Sequence, residues 1–281
     1  MANFFTVIVN HKKQQNILYA EKIVAYLKKR GAELLLPDNA SGYNLDNCQN
    51  IDFSGISAAI VLGGDGTILA ASKIFSKFSI PMVGINMGNL GFLSAVEKAD
   101  IYPALDKLLA GDYFSEDRMM LTGKVKKTDG GEIELLALNE LVVNNSFYTR
   151  TIALDLLIND NKIRSCNSDG IIVATPTGST AYSFSAGGPL VDPALKVILV
   201  NFICPHSFLN RPMVVADNSI VKITLSGVDL EGAKLTADGQ ASYVLKKGDA
   251  ITIQKALYTS KLIRFAPVNF FNRVSDKLNK Q

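Results

Sequence analysis

Short apolar runs alternate with segments of helical periodicity over the first third of the chain. The apolar runs predict strands at 4–9, 34–36, 58–62 and 81–85. Between them, apolar residues recur three or four positions apart and predict helices at 14–30, 67–77 and 102–109. Strands that alternate with helices in this way indicate a parallel sheet covered on both faces.

From about residue 121 the pattern changes to β-like segments separated by turn signals. These segments predict strands at 152–158, 171–174, 197–203, 220–225, 243–245 and 251–253. The sequence Thr128-Asp129-Gly130-Gly131 is typical of a hairpin turn. Such a succession of strands indicates a sandwich-like β domain, and the polar segment 269–280 at its end predicts a last helix.

The predicted fold is therefore an α/β N-terminal domain with a Rossmann-like parallel sheet, followed by an all-β, sandwich-like C-terminal domain. We place the α/β domain at residues 1–117 and the β-rich domain at residues 118–265. Residues 266–281 are expected to form a C-terminal segment that packs back on the first domain.

Composition excludes several classes of function. The net charge of +3 is spread along the 281 residues without a long basic run, so neither a nucleic-acid nor a membrane partner is expected. The 3 cysteines are far apart with no CxxC pair, and there are only 2 histidines, so no protein-held metal site or disulfide framework is predicted. The apolar start is too short for a signal peptide, and no apolar run reaches about 18 residues, so we expect a cytoplasmic protein.

A glycine-rich loop, Gly63-Gly64-Asp65-Gly66-Thr67, stands between the predicted strand at 58–62 and the helix that follows it. Without a Cβ, the backbone N–H groups of glycines can approach an anion closely, and a helix N-terminus adds a favourable dipole. The loop is therefore predicted to bind phosphate, through Gly63, Gly64, Gly66 and Thr67. It matches neither the Walker A loop nor the dinucleotide fingerprint G-x-G-x-x-G.

Asp65 is the unusual residue of this loop. A carboxylate beside a polyphosphate is unfavourable unless a metal ion bridges them or the carboxylate takes a proton from a substrate hydroxyl. The alternative is structural, with Asp65 acting only as the N-cap of the helix in a glycine-rich turn.

Three further segments carry polar residues at the ends of predicted strands. Residues 84–93 form a glycine-rich stretch that should lie beside the first loop, with Asn86 able to reach a ligand hydroxyl. The pair Asn139-Glu140 is flanked by apolar residues, so both polar side chains need partners if they are buried, and a ribose diol could supply one. Their alternatives are a strand-to-helix connection and a solvent-facing strand edge.

The longest segment runs from Ser168-Asp169-Gly170 through a predicted strand to Thr-Pro-Thr-Gly-Ser-Thr-Ala-Tyr-Ser-Phe-Ser-Ala-Gly-Gly-Pro at 175–189. Its small side chains allow a flat ring to lie close to the backbone, and Tyr182 could stack on that ring. The alternative is an ordinary capped helix start.

Taken together, these motifs resemble the NAD kinase family over nearly the whole chain. The GGDGT loop alone is shared with lipid kinases, whereas the segment 175–189 makes the resemblance specific. The resemblance implies transfer of a phosphoryl group from ATP, another nucleoside triphosphate or polyphosphate to the 2′-hydroxyl of the adenosine ribose of NAD. It also implies a divalent metal ion, Mg²⁺ with ATP, and a homodimer or homotetramer.

The resemblance further implies roles for individual residues. Asp65 becomes the catalytic proton acceptor. The residues that bind NAD are then Asp65, Gly66, Asn139, Glu140, Arg150, Asp169, Thr180, Ala181, Tyr182, Ser183, Phe184, Ser185 and Gln240. Asn86 and Phe92 are additional candidates. Asn167 departs from the family pattern, because many relatives carry a basic residue at this position.

Two other functions remain open from the sequence. A lipid kinase could use the same GGDGT loop, although no amphipathic basic helix is present to dock it on a membrane. A regulatory protein could bind NAD without turnover, although the joint presence of Asp65, Asn139 and Glu140 argues against it.

Overall fold

The computed structural model of the protein describes residues 3–9, 14–37, 45–48, 51–88, 91–128, 130–145, 151–206, 211–225, 233–246, 248–267 and 269–278. The chain divides into two compact units. The first contains Met1–Arg118 and Tyr258–Gln281, and the second contains Met119–Leu257.

The structure contains the following elements in chain order. The strands are β1 (Phe4–Val9), β2 (Glu33–Leu35), β3 (Ala58–Gly63), β4 (Met82–Asn86), β5 (Phe114–Lys126), β6 (Glu132–Ala137), β7 (Glu140–Asn145), β8 (Ile152–Ile158), β9 (Asn161–Ser168), β10 (Gly170–Ala174), β11 (Val197–Ile203), β12 (Met213–Ala216), β13 (Val221–Leu225), β14 (Ala233–Ala237), β15 (Ala241–Val244) and β16 (Ala250–Arg264). The helices are α1 (Gln14–Lys29), α2 (Asp65–Phe75), α3 (Ile101–Ala110), α4 (Tyr182–Ser185) and α5 (Phe270–Leu278). Short 3₁₀ turns are present at Leu45–Cys48, Ser76–Phe78, Lys98–Asp100 and Thr177–Thr180.

The first unit is built on a parallel sheet in the order β2-β1-β3-β4. Every residue of β3 is buried, as expected of a strand that is covered on both faces. The apolar faces of α1 and α3 belong to the same core cluster as the strands. At the carboxyl edge of the sheet, Gly63 of β3 lies in register with Asn86 of β4, which brings the first two predicted segments side by side.

The second unit is a β-sandwich. One sheet has the order β12-β11-β10-β7-β14-β15, and the other includes β13, β8 and β9. Burial alternates along β8 and β13, so one face of each strand points into the shared core, whereas β10 is buried at every position. Alternate β10 residues belong to the sandwich core and to a second, smaller cluster that includes Val191, which follows the segment 175–189.

The predicted fold class is confirmed, but several elements differ from the sequence predictions, and β5, β6, β9, β12 and β14 were not among the predicted strands. The strand predicted at 251–253 was far too short, because β16 continues to Arg264 and exchanges its partner from β13 to β4 along its length. The helix predicted from Thr67 begins at Asp65 instead. The boundaries predicted at 117 and 265 stay predictions.

Candidate active site

The predicted site residues fall into two groups, one in each unit. In the first unit, β3 ends at Gly63 and α2 begins at Asp65, with Gly64 as the N-cap residue. Gly64 has an extended backbone and, being a glycine, has no side chain that could cap the helix. The four predicted phosphate-binding residues therefore all lie at one strand-to-helix turn, where the dipole of α2 favours an anion.

Asp65 is not an N-cap, so the structural alternative considered for it is wrong. Its side chain leaves the helix and accepts two backbone N–H groups, from Phe92 to Oδ2 at 2.7 Å and from Leu93 to Oδ1 at 3.1 Å. Two hydrogen bonds from consecutive peptide groups fix the orientation of the carboxylate while leaving further lone pairs on both oxygens. Such a group can accept a proton from a nearby hydroxyl.

Gly91 is needed for this arrangement. A Cβ at position 91 would lie 1.9 Å from Asp65 Oδ1, well inside van der Waals contact. Only glycine lets the backbone approach the carboxylate this closely. Gly91 of the glycine-rich stretch thus allows the segment to bind the Asp65 carboxylate. The sequence did not indicate this contact.

The other candidates of the first unit have less direct roles. The Asn86 amide closes a local turn, because its Nδ2 donates to Gly88 O and its Oδ1 accepts the Gly88 N–H, both at 3.0 Å. Phe92 is half-buried, and Lys277 Nζ lies 4.2 Å from its ring centroid. The buried Thr67 hydroxyl has no hydrogen-bond partner among the described residues. Roles of Asn86 and Phe92 in ligand binding stay predictions.

In the second unit, Asp238 organises the Asn139-Glu140 pair. Its carboxylate accepts three consecutive backbone N–H groups, from Leu138 (3.1 Å), Asn139 (2.8 Å) and Glu140 (3.2 Å). Its own N–H donates to Glu140 O at 3.0 Å, and its backbone is left-handed, with φ at 52°. The sequence predicted a role for Gln240 of this turn but none for Asp238. The Asp-Gly dipeptide was the available signal, because Asp tolerates left-handed turns.

The segment that follows β10 lies against the same pair. The Thr175 N–H donates to Asn139 O at 2.8 Å, and the Thr175 hydroxyl donates to Leu138 O at 2.7 Å. A Cβ at Gly178 would lie 2.2 Å from Asn139 O, so this close approach also requires glycine. The third and fourth predicted segments are therefore in contact.

Glu140 has an unusual protonation state. It is buried, and its Oε2 has no hydrogen-bond partner in the part of the chain that the structure describes. Burial, and after it the charge of Asp238, raise the pKa of the Glu140 carboxyl to about 8, against the opposing effect of the Tyr182 backbone N–H. Glu140 is thus largely protonated at neutral pH and can donate a hydrogen bond to a ligand.

This protonation predicts a pH-dependent stability. Between about pH 4.5 and 8 the folded protein keeps a proton on Glu140 that the unfolded chain releases, so the free energy of unfolding falls as pH rises through this window. The contribution is up to about 1.4 kcal/mol per pH unit. We expect Glu140→Gln, which cannot ionise, to gain stability relative to the wild type from pH 5 to pH 8. Urea unfolding of both proteins at several pH values measures this, and parallel stability curves would disprove the protonated state.

The remaining predicted residues of the second unit lie around α4. Asn201 Nδ2 donates to Ser183 O at 3.3 Å and to Ala186 O at 2.9 Å, which fixes the end of this short helix. The rings of Tyr182 and Phe184 are 42% and 40% exposed, so both present an aromatic surface. Burial raises the pKa of Tyr182, and the charges of Cys204 and Asp169 add to this shift. Asp169 lies between β9 and β10, where its N–H donates to Ile203 O at 3.0 Å.

The last four predicted residues are Thr180, Ala181, Gln240 and Arg150. Thr180 ends the 3₁₀ turn and Ala181 connects it to α4, and Gln240 lies exposed in the turn between β14 and β15. Arg150 lies outside the described residues. Within the described part of the chain, no three His, Cys, Asp or Glu side chains lie close enough to hold a metal ion.

Family models match most of the chain. The model described as ATP-NAD kinase N-terminal domain matches residues 5–113, and the model described as ATP-NAD kinase C-terminal domain matches residues 138–265. Between them they include every predicted site residue.

Relatives of similar length support the same family. The NAD kinase of Caldanaerobacter subterraneus subsp. tengcongensis is 36% identical over 279 residues, which cover 98% of each chain. The NAD kinase of Ruminiclostridium cellulolyticum is 38% identical over 281 residues, which cover 97% of this chain and 96% of the relative.

Solved structures have the same fold. An NAD kinase from Archaeoglobus fulgidus in complex with ATP is 27% identical, with a TM-score of 0.77 over 99% of each chain. Yeast NADH kinase complexed with NADH is 23% identical, with a TM-score of 0.84 over 99% of this chain and 88% of that chain. Because this identity is low, the yeast structure supports only the shared fold.

Proposed function

This chain belongs to the NAD kinase family, and from that premise we propose that Asp65 accepts the proton of the hydroxyl that becomes phosphorylated. The enzyme is a phosphotransferase that phosphorylates NAD with ATP. We propose that the acceptor is the 2′-hydroxyl of the adenosine ribose and that the product is NADP.

One observation carries this proposal. Asp65 is the first residue of α2, within the phosphate-binding turn, and two backbone N–H groups bind its carboxylate. A carboxylate that only stabilised the helix would bond to the helix's own N–H groups. Held instead by Phe92 and Leu93, it is oriented before substrate arrives, which favours proton transfer.

The proposed reaction is an in-line displacement. The ribose 2′-oxygen forms a bond to the γ-phosphorus of ATP, the bond from that phosphorus to the β–γ bridging oxygen breaks, and ADP leaves. The hydroxyl proton moves to a carboxylate oxygen of Asp65. The backbone N–H groups at the start of α2 bind phosphate oxygens, assisted by the helix dipole.

We propose that ATP is bound as its Mg²⁺ complex, in which the ion would neutralise charge on the phosphates. Asp65 is the carboxylate of the phosphate-binding turn and is therefore the residue of this turn that could hold such an ion.

NAD is proposed to bind through the residues of the second unit. The protonated Glu140 and Asn139 offer hydrogen bonds to ribose hydroxyls, and Tyr182 offers an exposed ring face for stacking. The buried Ser183 hydroxyl also has no hydrogen-bond partner within the described ranges, as expected of a group that bonds to a ligand. The other residues proposed to contact NAD are Thr180, Ala181, Phe184, Ser185, Asp169, Gln240, Arg150 and Gly66.

Asn139 tests this assignment. We expect Asn139→Ala to raise the KM for NAD by about 10-fold and the KM for ATP by less than about twofold, because the lost amide bonds only to NAD. Initial rates over a matrix of both substrates measure the two constants. A larger rise in the KM for ATP would mean that the two substrate sites are exchanged.

The acceptor substrate distinguishes an NAD kinase from a lipid kinase that uses the same GGDGT loop. Incubation of the protein with ATP and either NAD or a lipid alcohol tests the substrate, and phosphorylation of the lipid alone would overturn the proposal.

No helix within the described residues has the length and apolar content needed to span a bilayer. We propose that the enzyme works in the cytoplasm as a homodimer or homotetramer. Light scattering during size-exclusion chromatography measures that assembly.

A further inference from the structure

Two arginines hold the segment Phe92–Ser94, whose N–H groups bind Asp65. Arg273 of α5 donates through Nη1 to Phe92 O at 2.7 Å and to Ser94 O at 3.2 Å. Arg264 at the end of β16 donates through Nη1 to Leu93 O at 2.9 Å. Three consecutive carbonyl groups are therefore bound to guanidinium groups, on the segment that fixes the catalytic carboxylate.

Arg273 is linked to Asp65 through a single peptide group. The Phe92 carbonyl that accepts from Arg273 and the Leu93 N–H that donates to Asp65 belong to the same peptide unit. A cation at the oxygen of a peptide polarises that group and strengthens the hydrogen bond donated by its N–H. The guanidinium thus acts on the carboxylate without touching it.

Arg264 is anchored from the other side. It is 1% exposed, and its Nε donates to Glu116 Oε2 at 3.0 Å, an oxygen that also accepts from Arg118 at 2.7 Å. Burial lowers the pKa of Arg264 to about 10, and the charge of Glu116 opposes this shift. A paired, buried guanidinium of this kind gives the segment a rigid support.

The electrostatics of Arg273 agree with its contacts. Burial lowers the pKa of the Arg273 guanidinium, and the charges of Asp65 and then Glu116 oppose that shift. The two opposite charges of Arg273 and Asp65 therefore lie close enough to interact favourably, although their side chains form no direct ion pair.

We propose that Arg273 is a positioning residue for the phosphoryl transfer, acting on Asp65 through the Phe92–Leu93 peptide. This inference rests on the proposed role of Asp65 as proton acceptor. It gives the C-terminal helix α5 a part in catalysis, because a side chain 181 residues after Phe92 in the sequence sets the orientation of the base.

A double-mutant cycle with Asp65→Asn tests the proposal. In the wild-type background, we expect Arg273→Met to lower kcat by at least about 10-fold and to change the KM values for NAD and ATP by less than about threefold, because the base loses orientation while the substrates keep their contacts. In the Asp65→Asn background, the same substitution should change the residual kcat by less than about twofold, because there is no base left to orient.

Lys277 provides a matched control on the same helix. Its ammonium contacts the ring of Phe92 but not the backbone carbonyls of the segment. Lys277→Met removes a positive charge just as Arg273→Met does, and we expect its kcat to stay within about twofold of the wild type. Rates are measured well below the melting temperature of each variant. If Arg273→Met does not fold, Arg273→Gln, which removes the charge but keeps an N–H donor, enters the same cycle.

Three results would overturn the proposal. They are an unchanged kcat in Arg273→Met, an equal fractional loss of kcat in both backgrounds, and an equal loss of kcat in Lys277→Met. The proposed function is tested separately, since a fully active Asp65→Asn enzyme would remove the base itself, whereas an inactive Asp65→Asn with an active Arg273→Met would refute only the positioning role.

Discussion

Asp65→Asn is expected to lower kcat by at least about 10²-fold while the protein remains folded. Asparagine has the same shape as aspartate, and its amide oxygen can keep one of the two hydrogen bonds from Phe92 and Leu93. The amide cannot accept the proton of the ribose hydroxyl, which is a poor nucleophile at neutral pH. Steady-state rates of NADP formation measure the loss, and circular dichroism verifies the fold.

Asp249 offers a matched control for this substitution. Its buried carboxylate also accepts two backbone N–H groups, from Thr128 at 3.2 Å and from Lys246 at 2.9 Å. Asp249→Asn therefore loses similar hydrogen bonds in a place where no predicted site residue contacts it. We expect lower thermal stability with kcat within about twofold of the wild type. Equal losses of kcat in the two variants would show that Asp65 is only structural.

Gly91→Ala is expected to have the second largest effect, a fall in kcat of about 10²-fold. The added methyl group would lie 1.9 Å from Asp65 Oδ1, so either the carboxylate or the segment 92–94 must move by about 1 Å, which is enough to misplace a catalytic group. The KM values should change little, because Gly91 itself is not proposed to bind substrate. Steady-state kinetics with both substrates measure this.

A second measurement links the Gly91 effect to Asp65. The three atoms nearest to the added methyl group all belong to the Asp65 carboxyl group. In the Asp65→Ala background these atoms are gone, so the methyl group should lower the melting temperature much less than in the wild-type background. Scanning calorimetry on the two single variants and the double variant tests this. A loss of stability that persists without the carboxylate would place the clash elsewhere and refute the explanation.

The sequence predicted those parts of the site that depend on local pattern. A buried run that ends at Gly63 and Gly64 indicated a strand, a turn and an anion-binding helix start, and these are present. That Gly63 and Asn86 lie side by side was also predictable, because the carboxyl ends of parallel strands lie at the same edge of a sheet. Local pattern also identified Asn139-Glu140 as a pair in need of partners.

The parts that the sequence did not predict depend on contacts between distant residues. Arg273 lies in a polar helix with no feature to distinguish it from a solvated one, and its role arises from carbonyl groups about 180 residues earlier. Asp238 binds N–H groups 98 to 100 residues before it. The length of β16 was missed because its partner changes along the strand, so its burial pattern is not uniform.

The most direct test of Asp65 as the base of an NAD kinase compares two purified proteins, the wild type and Asp65→Asn. NADP formation from NAD and ATP is measured for both side by side. We expect the wild type to form one NADP for each ATP consumed, with the phosphate on the adenosine ribose 2′-oxygen, and Asp65→Asn to show at most about 1% of that rate. A wild type that forms no NADP would refute the proposed activity, and equal rates from the two proteins would refute the role of Asp65 as the base.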